Sequence, residues 1–155
     1  MFDDLAELYQ DVILEHSKRP RHGQRLACFD ADAKGDNPMC GDRVQLFVRH
    51  TADGRIEDVG FEARGCAISV ASADLMAEVL RGRTDEEARQ MAEKFRELAR
   101  TGKLAEGAAG AADEALETLQ PLAGVHGYPS RVKCATLPWH ALIAALQGRK
   151  EAGSE

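Results

Sequence analysis

The sequence predicts an α+β domain: a small three-stranded antiparallel sheet with an N-terminal helix and several C-terminal helices packed on it. Three observations predict it. Residues 3–17 place apolar side chains at helical spacing, residues 43–63 hold two runs of period two joined by Asp53-Gly54, and the second half of the chain returns to helical spacing.

In the first helix Leu5, Leu8, Tyr9, Val12 and Ile13 form one stripe, with Asp3 or Asp4 available to cap its start and Pro20 and Gly23 to end it. Leu26 to Asp30 reads as a short edge strand, in which Cys28 is a half-buried residue. Val44, Leu46 and Val48 then alternate with Arg43, Gln45 and Arg49. After the Asp53-Gly54 hairpin signal, Ile56 to Ala63 returns antiparallel with Val59, Phe61 and Ala63 on one face. That strand runs through Arg64-Gly65-Cys66 into a helix whose apolar face is Ile68, Ala71, Leu75, Met76, Val79 and Leu80. Thr84-Asp85-Glu86-Glu87 fits a capping box, opening a helix with Ala88, Met91, Ala92, Phe95, Leu98 and Ala99 inward and Gly102 at its end. Residues 103–112, rich in Ala and Gly, read as a connection or frayed helix. A short helix at 113–119, a loop with Gly124, Gly127 and Pro129, and a helical stretch from Ser130 to Leu146 follow. Pro138 is expected to break that stretch, since a proline suits a first turn better than an interior. The tail from Gly148 is polar and expected to fray. With no repeat or second pattern, residues 1–155 read as one domain.

Charge narrows the function. The formal net charge is −6 and the basic residues are scattered, apart from Lys18-Arg19-Pro20-Arg21-His22. A nucleic-acid partner would need a concentrated basic face. No apolar run reaches the ~20 residues of a membrane span. The start, Met-Phe-Asp-Asp, is acidic where a signal peptide is basic, so the cytosol is the expected compartment. Four cysteines are too few for a disulfide scaffold in a chain of 155 residues and read as metal ligands or reactive thiols.

The stretch Asn37-Pro-Met-Cys-Gly-Asp42 sets a thiol, Cys40, and a carboxylate, Asp42, in one turn. Two ligands do not complete a tetrahedral metal site. Cys66, at a strand-to-helix junction, and Cys134, near a helix start beside Arg131 and Lys133, are the thiols placed to complete it. A helix N-terminus and nearby cations both favour thiolate. Cys40, Asp42, Cys66 and Cys134 therefore read as one site of three sulfurs and one oxygen. It suits Zn²⁺, and it could hold iron with inorganic sulfide. The harder carboxylate suits a site that exchanges a ligand. The histidines form no His-x-x-x-His pair; His140 reads as structural and His126 as solvated.

Leu8-Tyr9-x-x-Val12-Ile13-Leu14-x-His16, Asn37-Pro38-x-Cys40-Gly41-Asp42, Gly65-Cys66-Ala67-Ile68-Ser69-x-Ala71-Ser72 and Arg131-Val132-Lys133-Cys134-Ala135 resemble the iron–sulfur cluster assembly proteins of the IscU/NifU N-terminal family. The likeness spans Leu8 to about Leu146. Within the family the chain resembles the SufU branch. Lys133 stands where the scaffold branch has histidine, Pro129-Ser130-Arg131-Val132-Lys133 replaces the Leu-Pro-Pro-Val-Lys chaperone motif, and 68 positions separate Cys66 from Cys134. The resemblance implies a SufE/NifU-like α+β fold and zinc on Cys40, Asp42, Cys66 and Cys134. It implies sulfur accepted from a SufS-like cysteine desulfurase, whose histidine takes a place at the zinc and frees a thiol, and passed on to the SufBCD complex. Cys134 is the acceptor by position, and Arg131 and Lys133 would stabilise its thiolate.

Two other readings remain open at this point. One is an IscU-type scaffold carrying a transient [2Fe–2S] cluster on the same residues. The other is an interaction module whose zinc is structural and whose fold is lost with the metal.

Overall fold

A computed structural model describes residues 2–38, 41–103 and 111–152, without the side chains of 2–9 and 111–113. The elements run α1 (Phe2–Lys18), β1 (Ala31–Asn37), β2 (Asp42–His50), β3 (Ile56–Arg64), α2 (Ala67–Leu80), α3 (Asp85–Thr101), α4 (Ala111–Leu119), a 3-10 helix (Gln120–Gly127), α5 (Pro129–Leu146) and β4 (Glu151–Ala152). The expected α+β class is found, with a sheet of four strands instead of three, in the order β3-β2-β1-β4. β1, β2 and β3 form an antiparallel meander, and β4 lies parallel to β1 through Lys34↔Glu151 and Gly35↔Ala152.

Period two places β2 as expected. Val44, Leu46 and Val48 pair with Ala63, Phe61 and Val59 and share a buried core with Leu75, Met76, Phe95, Leu137 and Trp139. α3 has both halves of its capping box, between Thr84 and Glu87, and ends at Gly102 with φ 77°. On α1, Ile13 packs on the core, while Leu5, Leu8, Tyr9 and the caps Asp3 and Asp4 fall outside the described side chains.

Five expectations are corrected. The edge strand expected at Leu26–Asp30 lies at Ala31–Asn37 instead. The inner face of β1 is made of small residues because α5 comes close: a Cβ on Gly35 would meet Leu137 at 3.1 Å and Ala141 at 3.4 Å. A strand lined by Ala31, Ala33 and Gly35 shows no apolar alternation to read. The 26–30 segment instead covers the other sheet face, where Phe29 and Arg25 pack on Phe47 at 4.9 and 5.2 Å. Cys28 is consequently an exposed loop residue, not a half-buried strand residue.

α5 continues through Pro138 without a break. The proline lacks the N–H that would serve the Cys134 carbonyl, and Ser72 on α2 donates to the next carbonyl, that of Ala135, at 2.5 Å. The expected loop with Gly124, Gly127 and Pro129 is instead a 3-10 helix over Gln120–Gly127, with Pro129 already the first residue of α5. The tail from Gly148, expected to fray, pairs at Glu151 and Ala152 with β1. Of the connection at 103–112, residues 104–110 lie outside the described residues, as do 153–155 of the tail.

His50, where the β2–β3 register shifts, joins β2 to the start of α3. Its Nδ1 meets Asp30 Oδ2 and its Nε2 meets Asp85 Oδ1, each at 2.7 Å. Burial pushes the imidazole down, but the hydrogen bonds and charges of Asp85 and Asp30 outweigh it and hold its pKa above the ordinary value. Burial likewise raises Asp30, and the bonds and charge of His50 outweigh it and hold Asp30 low. The imidazolium contribution is therefore complete below about pH 6.5 and lost as pH rises through the elevated folded value. The Asp30 contribution is present above its unfolded value and lost as pH falls through the depressed folded one. Urea denaturation should find His50→Gln less stable than native by about 0.5–1 kcal/mol near pH 6, with the gap closing near pH 9. A gap that widens with pH would contradict this.

Candidate metal centre

The candidate ligands come from three places in the fold: the β1–β2 connection, the start of α2 and the second turn of α5. Asp42 is the first residue of β2, is fully buried, and pairs with Asn37 across the β1–β2 connection. That connection is closed by the Gly41 N–H donating to Asn37 O at 2.9 Å, with Gly41 at φ 74°. Such an angle suits glycine. Cys40 lies in this connection, next to Gly41, and is outside the described residues.

Cys66 is the N-cap of α2, with extended φ −76° and ψ 163°. Its side chain makes no cap hydrogen bond, so the sulfur is left for another use. Its backbone N–H donates to Asp42 Oδ1 at 2.9 Å, and its Sγ stands 3.6 Å from Asp42 Oδ2. The helix N-terminus thus faces a carboxylate, a favourable electrostatic arrangement. Gly65 makes the approach possible. A Cβ there would fall 2.1 Å from Asp42 Oδ1, and its φ of 142° lies outside the usual L-residue range.

Cys134 is not at a helix start as expected. It lies in the second turn of α5, which begins at Pro129, and is fully buried. One ligand atom each from Asp42, Cys66 and Cys134 nonetheless lies within 4.8 Å of the other two. Zinc at ~2.3 Å from a sulfur and ~2.1 Å from an oxygen, bound tetrahedrally, sets those atoms about 3.6 Å apart. The Cys66–Asp42 separation of 3.6 Å fits that set. Two thiols and a carboxylate, beside a connection that carries a third thiol, match the chemistry of a zinc or iron donor set.

Arg131 stands one turn before Cys134 on α5, where i and i+3 share a face. Its guanidinium is held above its ordinary value first by charge at Cys66, then by charge at Cys134, with hydrogen bonding to both. Lys133 is exposed and one position from Cys134, about 100° around the helix. No contact between its ammonium and the cluster is found among the described residues. His126, exposed, gives its Nδ1 to Ala123 O at 2.8 Å, and His140 lines a separate crevice with Trp139 and Arg96.

A groove of about 480 Å³ opens beside Cys66 and Arg131, with Ile13, Ile68, Val125 and the exposed Tyr128 among its walls. Ile13 is held there by a buried pair that pattern reading missed: His16 Nδ1 meets Asp74 Oδ2 at 2.5 Å, and Asp74 Oδ1 accepts from the His22 N–H at 2.8 Å. The available signal was a lone carboxylate on the otherwise uncharged stretch Ala67–Ala77.

Comparison with known proteins gives concordant results. Residues 8–135 match the family model described as the NifU-like N terminal domain. The chain is 38% identical over 143 residues to the iron–sulfur cluster assembly scaffold protein IscU of Streptococcus pyogenes serotype M1, covering 92% of this chain and 85% of that protein. It is 37% identical over 152 residues to the zinc-dependent sulfurtransferase SufU of Bacillus subtilis, covering 97% of both. Among solved structures, a putative iron–sulfur cluster assembly scaffold protein for the SUF system from Fervidobacterium islandicum superposes with a TM-score of 0.77 at 33% identity, over 90% of this chain and 97% of that one.

Gly65→Ala should destabilise the fold by about 1–3 kcal/mol, because the added methyl displaces the Asp42 carboxylate. The same variant should take up less metal than native in elemental analysis. Unchanged stability with full metal content would show that Asp42 and Cys66 do not need this close approach.

Proposed function

The chain belongs to the NifU-like N-terminal domain family, and on that premise we propose that it carries sulfur in a zinc-dependent way, as the SufU branch does. It is an iron–sulfur cluster assembly protein of the IscU/SufU type. The observation that carries the finer reading is the convergence of Asp42, Cys66 and Cys134 within 4.8 Å. Cys40, from the connection next to Asp42, would complete the set.

Zn²⁺ held by Cys40, Asp42, Cys66 and Cys134 would keep the thiols as thiolates and protect them until a ligand is exchanged. Cys134, once released, is the acceptor. Its thiolate attacks the terminal sulfur of a persulfide on a cysteine desulfurase. A sulfur–sulfur bond forms at Cys134 as the donor's bond breaks, and the donor cysteine leaves as thiolate, so no external oxidant or reductant is needed. Arg131 balances the negative charge on Cys66 and Cys134 without ever releasing a proton. Lys133, exposed and turned away, would add only a longer-range charge. The buried position of Cys134 agrees with a thiol that is shielded until release.

The scaffold reading uses the same residues, and relatives of both names match this chain. Lys133 favours sulfur transfer, because the position before Cys134 holds no histidine to give a cluster a further ligand. In the sulfur-transfer reading the partners are a SufS-like desulfurase and, downstream, the SufBCD complex, in the cytoplasm. Among the described residues no helix is long and apolar enough to cross a membrane.

Native protein should raise the turnover of its desulfurase with L-cysteine and acquire persulfide at Cys134, read by mass spectrometry after alkylation. Cys134→Ser should lose both. Full stimulation and persulfide loading in Cys134→Ser would remove Cys134 as acceptor. Stimulation absent from native protein, with an assembled [2Fe–2S] chromophore in its place, would favour the scaffold reading.

A further inference from the structure

Buried hydroxyls in helices ordinarily return their hydrogen bond to a carbonyl three or four positions back. Ser69, in the first turn of α2 and fully buried, does not: its Oγ has no hydrogen-bond partner among the described residues. An unmet buried hydroxyl is costly and calls for a partner. Its place indicates which one. Cys66, Ser69 and Ser72 follow one another at spacing three, along one side of α2. Cys66 places its sulfur within 4.8 Å of the Cys134 sulfur, and Ser72 donates to the carbonyl of Ala135. Ser69 lies between these two contacts. It therefore faces α5 on the buried side of the sulfur cluster, while exposed Arg131 approaches from the solvent side.

We propose that Ser69 is a sulfur-binding residue whose hydroxyl donates to the terminal sulfur carried on Cys134. The proposal rests on the sulfur-transfer reading given above. In the resting chain Cys134 carries one sulfur and the hydroxyl has no acceptor among the described residues. The transfer step adds a second sulfur to Cys134, bearing the negative charge that the desulfurase persulfide brought with it. An O–H···S⁻ bond from Ser69 and the cation of Arg131 would then hold that sulfur between them and slow its loss to thiols or sulfide. A hydroxyl idle before loading and engaged after it predicts opposite effects in the two states.

Ser69→Ala removes the donor, keeps the volume nearly constant and suits a helix, so the variant should fold. Native and variant full-length chains are loaded with purified cysteine desulfurase and L-cysteine, separated from the enzyme, and followed by mass spectrometry for persulfide at Cys134. The unloaded variant should match or exceed native in thermal midpoint and match it in zinc content. Its persulfide should decay about tenfold faster, the loss expected for one hydrogen bond to a charged group. Equal persulfide lifetimes would overturn the proposal, and so would a lower midpoint of the unloaded variant, which would mean that the hydroxyl is already engaged at rest. If native protein acquires no persulfide at Cys134, the sulfur-transfer reading itself falls and takes this inference with it.

Discussion

The hydrogen bond from the Cys66 N–H to Asp42 Oδ1 is the constraint on which the rest of the site depends. It joins the beginning of β2 to the beginning of α2 and sets the register between the sheet and the first helix laid on it. One carboxylate oxygen satisfies the backbone at the helix N-terminus. The other is left 3.6 Å from the Cys66 sulfur. Asp42 is fully buried, and a buried carboxylate needs such partners, since burying it without hydrogen bonds is costly. Gly65 is the steric condition for the contact, and α5 brings Cys134 to it from the far side, tied to α2 by Ser72.

On the proposed reading, the same arrangement would let a centre be both ordered and exchangeable. The candidate ligands come from three separate segments, which are braced by bonds that do not involve the sulfurs. The connection before Asp42 is closed by the Gly41–Asn37 hydrogen bond, and α1 is pinned by the buried His16–Asp74 pair. The large core formed by the sheet, α2, α3 and α5 is continuous without the site. Loss of one ligand bond would then change the centre without dismantling the fold. Such behaviour would separate the protein from small zinc domains, in which metal binding and folding are one event.

Much of this was legible in the sequence where side-chain pattern follows backbone period. β2 and β3 could be read because large apolar residues alternate, and α3 because its capping box and stripe agree. Asp42 and Cys66, which the structure brings together, could be singled out because Gly41-Asp42 and Gly65-Cys66 combine reactive groups with turn residues. β1 could not be read, since Ala33 and Gly35 leave room for α5 and so erase the alternation. Continuity of α5 through Pro138 was hidden because the donor to the neighbouring carbonyl comes from Ser72, 66 positions earlier than the proline. The burial of Cys134 and the His16–Asp74 pair depend on helix–helix packing, which local spacing does not encode. Ser69 drew no notice in sequence, where a helical serine is ordinary; only its burial without a partner makes it distinctive.

The central claim is that Cys40, Asp42, Cys66 and Cys134 share one metal ion. Zinc K-edge X-ray absorption on native, zinc-loaded protein tests it most directly. The account requires one zinc per chain with three sulfur ligands at about 2.3 Å and one oxygen near 2.0 Å, and a change in the oxygen shell alone on Asp42→Ala. A shell of oxygen and nitrogen only, or a spectrum unaffected by Asp42→Ala, would contradict it.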